Sequence, residues 1–223
     1  MPDSKKLWLS IDRKMRPDCL TLGRYTTQAY LQDPIRLSFI TSRYKFCARM
    51  LSGMKKVIEI GCGDGFGGAI VAQTVRQLIC TDINPDLLQE NRLRMAHFKN
   101  VTFEYHDFRQ SPFPQPAEAV YLIDTLEHIY PEEEDDFMAH LTASLTDQGV
   151  CLIGTPNETA DPYANNWSRE GHVNLKGHDS LLKMTQRYFY NTFFFGMNDE
   201  LVHTGFPSMA HFLWALCVGP KQR

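Results

Sequence analysis

The chain predicts an α/β fold, a mostly parallel, doubly wound sheet with helices on both faces. Three observations carry that expectation. Between 56 and 155, short apolar runs alternate with helix-like stretches, the pattern of parallel strands joined by crossover helices. The run Val57-Ile58-Glu59-Ile60 passes directly into the glycine-rich stretch from Gly61 to Gly68 and then into the helix-like Ala69-Ile70-Val71-Ala72. The next three strand-like runs lead to acids, at Asp82, Asp107 and Asp124. Open sheets of this class receive ligands at the carboxyl ends of their strands.

Residues 1–34 are weakly patterned and predict an irregular or partly helical segment, anchored by Trp8, Leu20, Leu22, Tyr25 and Tyr30. Asp33-Pro34 signals a helix start, with Asp33 as N-cap. Phe39, Ile40, Tyr44, Cys47, Ala48 and Leu51 then recur at helical spacing until Ser52-Gly53. Lys56 to Ile60 is the first strand and Gln77 to Thr81 the second. Asn84-Pro85-Asp86 opens a helix. Val101 to Tyr105 alternates as a third strand, and the wholly apolar Ala119 to Ile123 reads as a fourth, buried on both faces. Pro131 opens another helix, and the acids at 132–136 suit the positive end of its dipole. Gly149 is expected to end the connection, with Val150 to Gly154 as strand five. A polar, aromatic stretch over 155–178 is long for a connection in a compact domain, which suggests function. Beyond a helix from His178 to about Arg187, the runs 188–195 and 210–218 predict an antiparallel strand pair completing the sheet.

The 223 residues suit one domain with a substantial core. A hydrophobic content of 43% and charged content of 22% are ordinary for a globular protein. The net charge of −3, with no long basic stretch, argues against a nucleic-acid partner. No apolar run is long enough to span a membrane, and no signal-like segment opens the chain, so a cytoplasmic location is expected. The six cysteines, Cys19, Cys47, Cys62, Cys80, Cys151 and Cys217, are scattered and read as reduced thiols.

The glycine spacing narrows the ligand. A dinucleotide-binding G-x-G-x-x-G begun at Gly61 fails at Phe66. Begun at Gly63 it passes through Gly65 and Gly68, yet leaves Gly61 without a role and brings Asp82 too close. The alternative pattern, acid-x-G-x-G-x-G at Glu59, Gly61, Gly63 and Gly65, uses every residue. With Asp82, Asp107-Phe108 and Asp124 in order behind it, the stretch 36–157 resembles the class I S-adenosylmethionine-dependent methyltransferases. Asp124-Thr125-Leu126-Glu127-His128-Ile129 is similar to the L-E-H segment of small-molecule members such as the ubiquinone-biosynthesis group. The resemblance implies a Rossmann-like fold with S-adenosyl-L-methionine as cofactor. It also implies a single domain over 1–223, with a cap segment at 1–34, a cofactor-binding core at 35–157, and an acceptor loop with C-terminal strands at 158–223. By the same resemblance, Glu59 and the backbone of Gly61, Cys62, Gly63 and Gly65 hold the methionine end. Asp82 takes the ribose hydroxyls, Asp107 the adenine amino group, Ile83 or Phe108 the ring, and Asp124 closes the methionine pocket.

The chemistry expected is methyl transfer to a small polar acceptor, O-methylation of a sugar-like hydroxyl first. N-methylation or protein methylation are alternatives, and an NAD-dependent oxidoreductase or a cofactor-binding module without turnover represent other classes. A hydroxyl acceptor needs a base, and histidine suits neutral pH. His128 is the first candidate and His172 the second. Tyr25, Arg43, Asn157, Tyr163 and Trp167 are expected to face the acceptor. Nothing in the spacing of Asp124, Glu127, His128 and Asn157 demands a metal, so none is expected. The oligomeric state is not legible.

Overall fold

The computed structural model describes residues 2–15 and 20–221, the side chain of Trp167 excepted. Eight strands form one sheet: β1 (Lys56–Ile60), β2 (Gln77–Asp82), β3 (Val101–Tyr105), β4 (Ala117–Ile123), β5 (Leu145–Pro156), β6 (Phe189–Asn198), β7 (Leu201–His203) and β8 (Phe212–Pro220). Their order is β3-β2-β1-β4-β5-β8-β6-β7. The first five run parallel. β8 inserts antiparallel between β5 and β6, and β7 hairpins onto the β6 edge. The expected late strand pair is present, extended by this short edge strand.

Among the described residues eight α-helices accompany the sheet: α1 (Ser4–Asp12), α2 (Arg24–Gln32), α3 (Arg36–Met50), α4 (Gly68–Ala72), α5 (Pro85–Arg94), α6 (Glu134–Ala143), α7 (Asn166–Gly171) and α8 (His178–Tyr188). Strand parity sorts the core into two layers. Ile58, Ile60, Val120, Leu122, Leu213 and Ala215 face α6 and α8, packing on Phe137, Met138, Leu141, Leu181 and Met184. Val57, Leu78, Cys80, Tyr121, Leu152 and Trp214 face α3, α4 and α5, packing on Cys47, Leu51, Val71 and Leu88. Trp214, fully buried, stacks edge-on against Phe212 and tilts onto Phe46.

Local signals place most boundaries. Asn84 accepts from the backbone N–H of Asp86 at 3.0 Å and caps α5. Asp33 accepts from Ile35 N at 3.1 Å, so the signal is real, although regular helix starts two residues beyond Pro34, at Arg36. Gly149 lies inside β5 rather than before it, because Leu145 already pairs with Ala117 across a register shift in β4. The five cysteines among the described residues are free and buried; Cys19 lies outside them.

The N-terminal segment departs most from expectation. α1 buries none of its residues, and Trp8 is 60% exposed and Leu20 74%. Tyr25 and Tyr30 are exposed as well. What holds α2 down is polar. Asp64, in the middle of the glycine turn and buried, accepts from Thr26 N at 2.8 Å and from Thr26 Oγ1 at 3.1 Å. A carboxylate from elsewhere in the chain thereby satisfies an orphan N–H in the first turn of α2. The approach is close enough that a Cβ at Gly23 would fall 2.2 Å from Asp64 Cβ. Replacing Asp64 with alanine should cost on the order of 1–3 kcal/mol in urea unfolding and speed tryptic cleavage at Arg24. A variant as stable and as resistant as the parent would show that α2 is held by something else.

Candidate active site

The turn after β1 takes positive φ at alternate residues, +72° at Gly61, +53° at Gly63 and +69° at Gly65. The first of these brings the backbone against Thr125, whose Oγ1 would lie 2.5 Å from a Cβ at Gly61. Asp82, ending β2, steadies the turn: Oδ2 accepts from Gly63 N and Oδ1 from Asn84 N, both at 2.9 Å. The buried Asn91 donates to Gly63 O at 2.8 Å from below.

A cleft of about 510 Å3 opens above this turn. Gly61, Cys62 and Gly63 form its floor, with Asp82, Ile83, Asp107, Phe108 and Asp124 at the strand ends. Tyr25, Thr26 and Tyr44 border it from the helical side. A second cleft, about 650 Å3, lies between α2, α3 and the loop after β5. Ile40, Asp124 and His128 line both. Asp124 is thus a partition residue, and its φ of +49° places a non-glycine residue in the left-handed region there. Its Oδ2 pairs with Arg43 Nη1 at 2.5 Å, while the Arg43 guanidinium sits 3.9 Å above the Phe212 ring.

Just beyond, Glu127 is fully buried yet lines the second cleft. Burial, then the charge of Asp124, pushes its carboxyl up to about 8. Oε2 accepts from Thr155 Oγ1 at 3.1 Å, while Oε1 has no hydrogen-bond partner among the described residues. The Glu127 carbonyl accepts from Val173 N at 2.9 Å and Asn174 N at 3.0 Å, pinning the long loop to the end of β4. That contact brings His172 to His128, with ring centroids 5.3 Å apart. His128 Nδ1 lies 2.8 Å from the Gly171 carbonyl. Burial, then its neighbour His128, holds His172 below the usual imidazole value, so its ring is neutral at pH 7.

The structure places Gly61, Cys62, Gly63, Asp82, Ile83, Asp107, Phe108 and Asp124 on the first cleft, Arg43, Asn157, Tyr163 and His172 on the second, and His128 on both, whereas Glu59 and Gly65 line neither. Glu59 is 1% exposed and absent from the cleft wall, because strand parity turns it with Val57 toward α4 and Cys80. Gly65 also turns inward, against Phe103 and Asn91. Asp107 is engaged by Arg109 through Nε at 2.9 Å and Nη2 at 2.8 Å, which holds its carboxyl below the usual range. Tyr25 packs beside Gly63 in the first cleft, not the second. Asn157 borders the second cleft but is buried, and its Nδ2 donates to the carbonyls of Pro207 at 2.9 Å and Ala210 at 2.7 Å, holding the loop. The Trp167 side chain lies outside the described residues. Sequence reasoning missed Thr26, Tyr44, Asp64 and Arg109; only Asp64, inside the motif, offered any signal.

Residues 57–149 match a family described as a methyltransferase domain. Those residues carry a methyltransferase domain similar to that of S-adenosylmethionine-dependent methyltransferases. The cofactor of such domains is S-adenosylmethionine, which sets aside the dinucleotide register; Gly68 in that register lies in α4, 3.0 Å from Glu59 Oε2 if given a Cβ. Among curated relatives, the chain is 31% identical over 98 residues to an uncharacterized methyltransferase of Staphylococcus carnosus, spanning 44% of this chain and 45% of that protein. It is 26% identical over 115 residues to a probable S-adenosylmethionine-dependent methyltransferase of Mycolicibacterium smegmatis (51% and 42%). To a ubiquinone biosynthesis O-methyltransferase of Rickettsia bellii it is 24% identical over 141 residues (59% and 54%). The chain thus spans about half the length of these relatives, or less. The fold of the methyltransferase domain recurs in the N-methyltransferase NodS from Bradyrhizobium japonicum, with TM-score 0.63, 14% identity, and coverage of 85% of this chain and 98% of that one. It recurs also in a TehB-like methyltransferase from Corynebacterium glutamicum, with TM-score 0.62, 15% identity, and coverage of 89% and 100%. Among the described residues no helix is long and apolar enough to cross a membrane.

The buried acid beneath the methyltransferase turn has a measurable signature. Burial first raises the Glu59 carboxyl from 4.5 to about 7, opposed by the Cys80 thiol, which donates to Oε2 at 3.2 Å, and by the nearby hydroxyls of Tyr121 and Tyr44. Between those values the folded chain holds a proton that the unfolded chain has released, so stability falls as pH rises through that window. The group's share is about 3 kcal/mol. Glu59→Gln should therefore flatten the decline in stability between pH 4.5 and 7 in urea titrations, and equal slopes in both proteins would assign the decline elsewhere.

Proposed function

We propose that the protein transfers the methyl group of S-adenosylmethionine to a hydroxyl of a small polar acceptor. The observation that carries this reading is the pair of clefts meeting at Asp124 and His128. Methyl transfer needs a donor site and an acceptor site that share one short boundary, so that nucleophile, methyl carbon and sulfur fall in line. Alignment of this kind supplies most of the rate in such displacements. The first cleft, with a glycine floor and strand-end acids, takes the cofactor. Asp82, its carboxylate already oriented by Gly63 and Asn84, receives the ribose hydroxyls on its remaining lone pairs. Ile83 and Phe108 flank the adenine, and Asp107, steadied by Arg109, faces its amino group. The methionine end lies over Gly61, Cys62 and Gly63, toward Asp124.

The acceptor occupies the second cleft, where Arg36, Arg43, Tyr163, Asn165 and His211 offer donors and a ring edge to a polar, hydroxyl-bearing molecule. The acceptor C–O bond forms as the methyl–sulfur bond breaks, and the sulfonium leaves as a neutral thioether. The hydroxyl proton leaves into the open cleft beside His128 and His172. O-methyltransferases among the relatives support a hydroxyl acceptor, including the ubiquinone biosynthesis enzyme of Rickettsia bellii and the 6-hydroxytryprostatin B enzyme of Neosartorya fischeri.

Calorimetry with S-adenosylhomocysteine should show binding that Asp82→Ala weakens by about ten- to a hundredfold, the scale of hydrogen bonds to a charged group. Binding of NAD with no binding of S-adenosylhomocysteine would overturn the reading. With an acceptor identified by mass spectrometry from a panel of sugars and phenols, His128→Ala should lower kcat while leaving the affinity for S-adenosylhomocysteine near that of the parent. Unchanged kcat would remove His128 from the reaction.

A further inference from the structure

Glu127, His128 and His172 each place a ligand-type atom within 4.8 Å of the other two. All three line the second cleft, where it meets the first. Two imidazoles and one carboxylate on one side of an open space are a donor set for a divalent first-row metal, with positions left for outside oxygens. Two details favour metal ligation over a simple hydrogen-bonded cluster. Glu127 Oε1 is buried without a hydrogen-bond partner among the described residues, in a residue with no exposed surface that nonetheless borders the cleft. A buried carboxyl oxygen without a partner is costly unless something meets it. His128, for its part, faces the Gly171 carbonyl with Nδ1 at 2.8 Å. That contact fixes the proton on Nδ1 and leaves the lone pair on Nε2, the second-partner arrangement typical of metal-bound histidines.

We propose that Glu127, His128 and His172 bind a divalent cation of the Zn2+ or Mn2+ type, which holds the acceptor's hydroxyl oxygen. The proposal rests on the methyl-transfer reading and deepens it. The histidines act as ligands, the cation makes the bound hydroxyl more acidic, and its proton passes to water in the open cleft as the oxygen takes the methyl group. Asn157 is turned to another task, its Nδ2 on the Pro207 and Ala210 carbonyls and its Oδ1 toward Thr159 N at 3.4 Å. His172 takes its place, delivered from a distant loop by the backbone bonds to the Glu127 carbonyl.

The test uses the full chain, stripped with a chelator and titrated with Co2+ and with Zn2+. The expected result is one ion per chain, with visible Co2+ bands shifted from those of the aqueous ion. Glu127→Gln and His172→Ala should each weaken binding at least about tenfold. S-adenosylhomocysteine binding, measured on the same samples, should stay near the parent value in His172→Ala. Should Glu127→Gln fail to fold, His172→Ala alone decides, since that half-exposed loop position tolerates truncation. No stoichiometric binding, or binding that survives the loss of His172, would overturn the proposal. Failure of S-adenosylhomocysteine to bind the parent would instead count against the methyl-transfer reading, whatever the metal result.

Discussion

One backbone constraint governs the working edge of this sheet. After Ile60 the chain turns through three alternate residues at positive φ, and neighbours occupy the space where side chains would stand. Thr125 closes on Gly61 and donates to the Ile60 and Ile123 carbonyls at 3.3 and 3.1 Å, so the ends of β1 and β4 are drawn together. Tyr25 leans on Gly63 from above, and Phe103 and Asn91 support Gly65 from below. The bare backbone is therefore both cleft floor and packing surface. L-residues with a Cβ reach this conformation only at a cost of roughly 1–2 kcal/mol each.

The acids around the turn are ordered before any ligand arrives. Asp82 is held by two backbone N–H groups, Asp107 by a guanidinium fork, and Asp124 by Arg43. Groups already aimed need no reorientation when charge or hydroxyls come to meet them, which is the physical content of a preorganised site. The second cleft is organised differently. Its far wall is loop, and that loop is registered by backbone hydrogen bonds to the Glu127 carbonyl, by the Asn157 amide and by one isolated bridge between Asn157 and Lys176. Lys176 reaches Glu134 at 2.5 Å and Asn174 the same carboxylate at 2.8 Å, so the acids opening α6 also anchor the loop.

What the sequence discloses is what is local. Val57 to Ile60, the glycine turn, Asp82 and Asp124 are readable because strand, turn and acid follow one another within a few residues, and the two-residue period separates the faces. The same period puts Glu59 on one face with Val57, which buries it against α4 and Cys80. The inward turn of Gly65 had no such cue. Long-range contacts left no trace. Nothing near Thr26 announces that a carboxylate 38 residues later will cap it. Nothing near His128 announces His172, since Gly171 and Val173 meet the end of β4 only in the folded chain. The apolar residues of α1 look like anchors in a list of residue types, yet among the described residues all of them stay exposed. Asn157 had the right chemistry for an acceptor contact and was claimed by backbone carbonyls instead.

Asp64 gives the glycine signature a second meaning. It sits between two of the turn's glycines, and both of its carboxylate oxygens grip α2, the helix that carries Tyr25 and Thr26 to the first cleft. Floor and roof are thus fastened through a single residue of the motif. A substitution survey of this stretch would mix two kinds of intolerance, loss of ligand contact and loss of closure. Counting motif positions as ligand contacts would then overstate how much of the signature the cofactor itself requires.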